Sequence, residues 1–466
     1  MAAGGADADP LRVAIVGSGP AAFYAAEHLL KRDEPRVEVD MFERLPTPYG
    51  LVRAGVAPDH YKIKSVTKRF AETAAMPGFR FYGFVEVGKD ISVSDLREHY
   101  HQILYAIGAP TDKRMGIPGE ELRGSYAATE FVGWYNGHPD FRDLTFDLSQ
   151  ERVAVVGVGN VAVDVARILC LTPEELEVTD IASYALEALR QSRVKEVYLL
   201  GRRGPAQAAF TNPEIKQLGE LADADAFVLA EEAELDEISR AALEASDDRS
   251  TRKKVEILQS YAARKASGKS RRLFIRFLVS PVEILGNAAG AVSGLRLVKN
   301  VLERTEAGTP SPKATDKFEE LAVGLVFRSV GYRGAALAGV PFNERWGVIA
   351  NDGGRVIDAE TERPVAGEYC SGWIKRGPTG VIGTNKPDSI ETANCMLEDA
   401  ASGSILQPSN PRASDIEALV RKRQPNYFSF DDWLRLDTME VERGQAQGRP
   451  RDKFTRVEDM LAALGR

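Results

Sequence analysis

A chain of 466 residues exceeds what one hydrophobic core ordinarily holds, so two or three domains are expected. Apolar residues at 44% and charged residues at 27% are those of a globular protein, and a net charge of -8 gives no overall pull toward nucleic acid or anionic lipid. Three scattered cysteines and five histidines without metal-type spacing exclude a disulfide scaffold, a cysteine-ligated cluster and a zinc site, which leaves redox chemistry to an organic cofactor. No run approaches the roughly 18 apolar residues of a membrane span. Met1–Pro10 has neither the basic region nor the apolar core of a secretion signal, so a cytoplasmic location is the default expectation.

The first element is a buried strand, Arg12-Val-Ala-Ile-Val, running into Gly17-Ser18-Gly19-Pro20-Ala21-Ala22 and an alanine-rich helix to Lys31. Gly17 permits the tight turn, and Gly19 lets backbone approach a pyrophosphate. The helix opening at Pro20 and Ala21 offers free N–H groups and a positive dipole to it. The next strand, Val37 to Glu43, ends in a carboxylate placed to accept hydrogen bonds from an adenosine ribose. The site reads as one for FAD or NAD, against the alternative of a tight turn packed without ligand. Two later strands ending in glycine, Ile103 to Gly108 and Leu325 to Gly331, look like crossings between halves. They predict a discontinuous first domain, 1–110 plus 330–466, with a second domain, 111–329, inserted in it.

The insert repeats the pattern at Arg152-Val-Ala-Val-Val, followed by Gly157-Val158-Gly159-Asn160-Val161-Ala162 and a helix. Its next strand, Glu196 to Gly201, ends instead in Arg202 and Arg203, whose guanidinium groups suit a 2′-phosphate. Residues 171–193 lengthen this crossover. Segments 232–252 and 304–316 are polar and are expected as solvated helix surface and loop. Arg252, Lys253, Lys254, Arg264, Lys265, Lys269, Arg271 and Arg272 reverse the sign of a net acidic chain. Such a face would steer an acidic protein partner without tight binding; a solvated helix surface is the alternative.

In the last third, Glu368 to Gly372 reads as a strand leading into Trp373-Ile-Lys-Arg-Gly-Pro-Thr-Gly380-Val381-Ile382, with a helix from about Asp388. A glycine-rich turn at a helix start can hold N–H groups against a reduced flavin, and Trp373 can pack on its rings. Val457, Met460, Leu461 and Leu464 have helical spacing and are expected to pack on the first domain. The predicted fold class is α/β, with two doubly wound dinucleotide-binding domains of glutathione-reductase-like kind. Two such sites, one nested in the other, describe a flavin–nicotinamide oxidoreductase using FAD and NADP(H). A disulfide reductase would need neighbouring cysteines, which the chain lacks. A flavin monooxygenase shares the cofactor pair, and an NADPH sensor is the non-enzymatic alternative.

Over nearly its whole length the chain resembles the adrenodoxin reductase family, including bacterial ferredoxin–NADP reductases of that type. The resemblance is carried by Leu45 to His60 (LPTPYGLVRAGVAPDH), Phe131 to Asn136 (FVGWYN), Gly201 to Pro205 with Ala209-Phe-Thr211, Ser329 to Gly334, and Trp373 to Lys386. It implies FAD in the discontinuous domain, touched by Gly17, Ser18, Gly19, Pro20, Ala21, Glu43, Leu51, Trp373, Gly380, Val381 and Ile382. NADPH would lie along Asn160, Val161, Arg202, Arg203 and Glu214, with Gly159 in the second turn. His60 and Glu214 would stand beside the nicotinamide as positioning and electrostatic groups. The electron acceptor implied is a separate ferredoxin-type iron–sulfur protein, met through Arg264, Lys265, Lys269, Arg271 and Arg272. Val158 stands where relatives carry a polar side chain, Lys113 or Arg114 would supply a basic group near the linker, and the turn before Glu214 leaves its orientation open.

Overall fold

The structure, a computed structural model, describes residues 9–306 and 308–466. Most of the segment Met1–Pro10, expected not to be a secretion signal, lies outside the described residues. Two mostly parallel sheets dominate. The first holds seven strands in the order Asn351–Asp352, Arg355–Ile357, Pro364–Cys370, Gln102–Tyr105, Leu11–Val16, Val37–Glu43 and Phe79–Gly83. Leu11–Val16 is central, with Ile15 opposite Met41 on one side and Leu104 on the other. Strands buried on both faces read as continuous apolar runs, and this one alternates between two cores. Val13 and Ile15 pack with Phe23, Leu29, Trp433 and Met460, while Ala14 and Val16 pack with Leu96, Ile416 and Val420. The C-terminal apolar stripe therefore seats Met460 and Leu464 on the first sheet, as its spacing predicts.

The second sheet has six parallel strands: Ser125–Ala127, Leu325–Arg328, Arg152–Val156, Glu196–Leu200, Arg271–Arg276 and Ala224–Val228. Val153, Val155, Val197 and Leu199 face the helix Asn160–Cys170. Ala154, Val156 and Leu200 face a three-stranded antiparallel sheet, Val279–Gly286, Val292–Arg304 and Pro310–Leu321. This layer corrects the reading of 304–316 as loop: Pro310–Leu321 is a long strand. It pairs with one neighbour and is largely exposed, so charges along it cost nothing and hide its strand character. The extended crossover at 171–193 is two short helices, Pro173–Glu177 and Ser183–Arg190.

Polar contacts tie the two halves together near the C-terminus. Arg449 donates to the carbonyls of Thr179 and Ile181, and Lys453 to that of Asn136. Lys64 donates to Asp180 at 2.6 Å, and Lys453 lies 3.5 Å from the same carboxylate. All three side chains are buried.

Candidate functional site

The two glycine turns divide labour in the same way. Gly17 has φ +99, and a Cβ there would lie 2.5 Å from the Ala106 carbonyl oxygen, so the crossing strand dictates the glycine. Gly157 has φ +134 and faces the Ser329 carbonyl in the same manner. Gly19 and Gly159 differ: each caps its helix with an ordinary φ, -77 and -104, and a Cβ would meet no protein atom within 4 Å. Packing does not require glycine at these two positions. The open space beside each helix N-terminus is where a dinucleotide pyrophosphate fits.

Glu43 braces the first turn. Its carboxylate accepts from the Ser18 hydroxyl at 2.6 Å, the Ser18 N–H at 3.2 Å and the Leu45 N–H at 3.0 Å. The Tyr49 N–H donates to the Ser18 carbonyl, folding the following loop onto the turn, and Leu51 emerges from it 42% exposed. Pro20 and Ala21 open the helix Pro20–Leu30. A Cβ at Gly372 would sit 2.7 Å from that of Ala21, so the strand end before Trp373 abuts this same helix. Trp373 donates its indole N–H to the Thr379 carbonyl, and its ring centroid lies 5.2 Å from that of Tyr332. Gly380 and Val381 are exposed, Ile382 is half-buried, and the helix Asn385–Ser402 follows, starting slightly before the predicted Asp388. Leu51 and Val381, at 42% and 52% exposure, are apolar surfaces suited to cover by a planar ring.

At the second turn, Asn160 accepts from the Thr211 N–H through its side chain, and the Val158 carbonyl accepts from the N–H groups of Ala209 and Phe210. Val161 is half-buried against the helical core. The loop carrying Arg202 and Arg203 is thereby fastened to the turn that would hold the pyrophosphate. Arg203 donates to the Gln207 carbonyl at 3.3 Å, and neither arginine has a salt bridge among the described residues. Burial and the charge of Arg202 together lower the pKa of Arg203. A bound phosphate would relieve that repulsion. Asn300, from the antiparallel sheet, donates to the Arg202 carbonyl at 2.9 Å and holds the loop from below. Arg114 pairs with Glu120 and Glu121, and Lys113 donates its N–H to the Gly331 carbonyl.

His60 and Glu214 do meet. Glu214 lies in the first turn of the helix Asn212–Leu218 and is buried; its Oε2 is 3.8 Å from His60 Nε2. The closer contact of His60 is with Gln217, at 3.0 Å. Behind the pair stand three residues the sequence reading passed over, Asp59, Asp164 and Arg167. Asp164 and Arg167, three apart in an otherwise apolar helix, were the available signal. Burial pushes the Asp164 carboxyl up to about 6, with Arg167 opposing and Glu214 reinforcing.

The basic stripe of the sequence begins at the consecutive Arg252, Lys253 and Lys254 on the helix Arg249–Ala262 and continues in the chain beyond it. One end is near the cofactor-binding edge of the second sheet, where Asn212 donates to the Ser250 carbonyl and Lys254 to that of Ala208. Arg264, Lys265, Lys269, Arg271 and Arg272 lie at the other end, where strands begin, about 20 Å away for a six-residue strand. Several spend donors internally. Lys269 binds the Leu221 carbonyl, Arg271 those of Cys170, Leu171 and Val194, and Arg272 pairs with Glu196. Arg264 and Lys265 are exposed.

The family model described as pyridine nucleotide-disulphide oxidoreductase matches residues 11–199. Cys170, Cys370 and Cys395 are nevertheless all unpaired. The chain is 44% identical over 454 residues to the NADPH-ferredoxin reductase FprA of Mycobacterium leprae, covering 96% of this chain and 97% of that one. It is 44% identical over 463 residues to the human mitochondrial NADPH:adrenodoxin oxidoreductase, covering 97% and 92%. Among solved structures, Mycobacterium tuberculosis FprA in complex with NADPH superposes with a TM-score of 0.92 at 43% identity, covering 98% of this chain and all of that one. With identity of this order along nearly the full length, two Rossmann-type sheets and two glycine turns, the chain belongs to the FAD-dependent ferredoxin–NADP reductase family of adrenodoxin reductase type.

Proposed function

We propose that this protein takes a hydride from NADPH onto FAD and passes the electrons singly to a ferredoxin-type iron–sulfur protein. The observation that carries the reading is the meeting of the two dinucleotide sites: His60, beyond the first turn, reaches Gln217 at 3.0 Å on the helix beyond the second. FAD, when bound, supplies the exchange between hydride and single electrons that no side chain here performs. The backbone of Gly17, Ser18, Gly19, Pro20 and Ala21 cradles its pyrophosphate, and Glu43 accepts from its ribose. Leu51 and Trp373 cover its rings, and Gly380, Val381 and Ile382 present N–H groups. Gly159, Asn160 and Val161 hold the nicotinamide dinucleotide, with Arg202 and Arg203 on its 2′-phosphate. His60 and Glu214 hold the nicotinamide in line for transfer.

The assignment divides the chain into an FAD domain, 1–110 plus 330–466, and an NADP domain, 111–329. Supporting it, no strand of either large sheet is shared with the other. The basic stripe is the proposed docking face, because complementary charge steers an acidic carrier. Arg264, Lys265, Lys269, Arg271 and Arg272 would guide approach, while Arg252 and Lys253 lie nearer the cofactor edge. The proposed location is the cytoplasm; no helix among the described residues is long and apolar enough to cross a membrane. The deciding measurement is the visible spectrum of the purified protein. A flavin spectrum bleached anaerobically by NADPH and restored by oxidised ferredoxin is expected. A colourless protein, or a flavin that NADPH leaves oxidised, overturns the reading.

A further inference from the structure

Arg167 is 2% exposed and carries four hydrogen bonds to three carboxylates. Its Nε and Nη2 fork onto the two oxygens of Asp59 at 2.8 and 3.1 Å. Nη2 also donates to Asp164 at 2.7 Å, and Nη1 donates to Glu214 Oε2 at 3.0 Å. Asp59 immediately precedes His60 on the first sheet's side of the site, while Asp164 and Glu214 stand on helices of the second. One guanidinium thus joins the segment bearing His60 to the helix bearing Glu214. A fork of this kind is directional, because the planar group fixes where each carboxylate must lie.

We propose that Arg167 is a positioning residue for hydride transfer: its fork to Asp59, together with its bond to Glu214, sets the two domains in the one arrangement that aligns His60 and Glu214 at the nicotinamide. The proposal rests on the NADPH-to-FAD reading above. Arg167 is set back from the nicotinamide and acts through Asp59 and Glu214. One guanidinium faces three carboxylates, and His60, Asp164 and Glu214 offer atoms within 4.8 Å of one another. The groups facing Asp164 are Arg167, Glu214, His60, Asp59, Tyr135 and Tyr332. Burial raises the Asp164 carboxyl, Arg167 and His60 oppose this, and Glu214 and Asp59 reinforce it. Protonating Asp164 weakens the bond that it accepts from Arg167 at 2.7 Å, so the alignment of the pair is linked to pH through that carboxyl.

The test is anaerobic stopped-flow bleaching of the flavin at saturating NADPH, with Arg167→Met, Arg167→Lys, Asp59→Asn and the Asp59→Asn/Arg167→Met double variant. Bleaching by the unaltered protein secures the reading of function independently; without it that reading fails and the variants are moot. Given bleaching, Arg167→Met is expected to slow it about tenfold or more, with NADP+ affinity changed by less than about threefold. Arg167→Lys should recover part of the rate, keeping the charge and losing the fork. The double variant should be no slower than Arg167→Met alone, because both remove one interaction. Asp59→Asn also takes away a negative charge that raises Asp164, so the inflection of bleaching rate with pH should move to lower pH. If Arg167→Met does not retain FAD, Asp59→Asn decides alone through rate and pH profile. Additive effects of the two substitutions, or an unshifted inflection in Asp59→Asn, overturn the proposal.

Discussion

His60 Nε2 lies 3.8 Å from Glu214 Oε2, and the two residues come from opposite sides of the site, 154 positions apart in the chain. At that separation the two are not hydrogen-bonded, and Gln217 takes the shorter contact with the imidazole at 3.0 Å. Replacing His60 with alanine is expected to slow flavin bleaching by about 10- to 30-fold, short of the roughly 10²–10⁴-fold typical when a side chain itself transfers the proton. FAD content should stay the same. A loss beyond about 10³-fold would make proton transfer, not positioning, its task.

The contrast between Gly157 and Gly159 gives a sharper pair of variants. Gly157→Ala forces a methyl against the Ser329 carbonyl at a positive φ, and should lower stability by about 1–3 kcal/mol. The Cβ of Gly159→Val meets no protein atom within 4 Å, so the melting temperature without nucleotide should hold while NADPH binding falls. Thermal melts with and without NADP+ on both proteins settle it. A fully stable Gly157→Ala, or an unaltered NADPH affinity in Gly159→Val, would remove the argument from open space.

In the proposed reading Arg202 and Arg203 hold the 2′-phosphate, and so set the preference for the phosphorylated nicotinamide. Charge-assisted bonds to phosphate contribute about 1.5–3 kcal/mol, so replacing both with alanine should weaken NADPH use by about 10- to 100-fold. NADH use should change far less, and FAD content not at all. The change should appear mainly in KM. Steady-state kinetics with both nucleotides would show an unchanged ratio if the 2′-phosphate lies elsewhere.

Electron delivery to a ferredoxin should fall as salt rises, since screening acts over about 10 Å at 0.1 M ionic strength. Arg271 and Arg272 are unsuitable probes, because one caps carbonyls of three residues and the other pairs with Glu196. Arg264 donates to the Gly219 carbonyl and lies over Tyr261, so the exposed Lys265, reversed to glutamate, is the probe that leaves such contacts intact. Ferredoxin-mediated cytochrome reduction should then slow and lose part of its salt dependence. Hydride transfer from NADPH should not change. A variant with the original salt dependence would move the docking face off this end of the stripe.

Asp180 faces two buried ammonium groups, Lys64 at 2.6 Å and Lys453 at 3.5 Å. Burial raises its pKa, but Lys453 and Lys64 outweigh this and hold the carboxyl below its ordinary value. A depressed folded-state pKa contributes stability above the unfolded value and loses it as pH falls through the folded one. Asp180→Asn leaves two buried cations unpaired and should cost about 3–5 kcal/mol at neutral pH. Lys453→Met removes the bond to the Asn136 carbonyl but leaves Lys64 paired with Asp180, so it should cost less than Asp180→Asn. Urea melts of both variants at pH 7 check the order.

What could be read from the chain was whatever local backbone chemistry dictates. The strand–glycine–helix turns, Glu43 at a strand end and the paired arginines are contiguous patterns, and each stands where its spacing predicts. The strand Pro310–Leu321 was misread because an exposed edge strand needs no apolar alternation. The Arg167 cluster was missed for another reason. Only Asp164 and Arg167 are near in sequence; Asp59 and Glu214 arrive from distant segments, and an i,i+3 pair does not announce two further carboxylates. Asn300 beneath Arg202 belongs to the same class, supplied by a layer the sequence disguised.

The order of strands in the first sheet also bears on how the protein is made. Gln102–Tyr105 is paired on one side with Leu11–Val16 and on the other with Pro364–Cys370. During synthesis the second partner leaves the ribosome only after every strand of the second sheet has emerged. The inserted domain can therefore close its own core while the first half of its host waits with an open, apolar strand edge. Such an edge invites pairing with other nascent chains. The first sheet, which carries the first glycine turn and the strand before Trp373, can thus be completed only after the second sheet's strands have all been made.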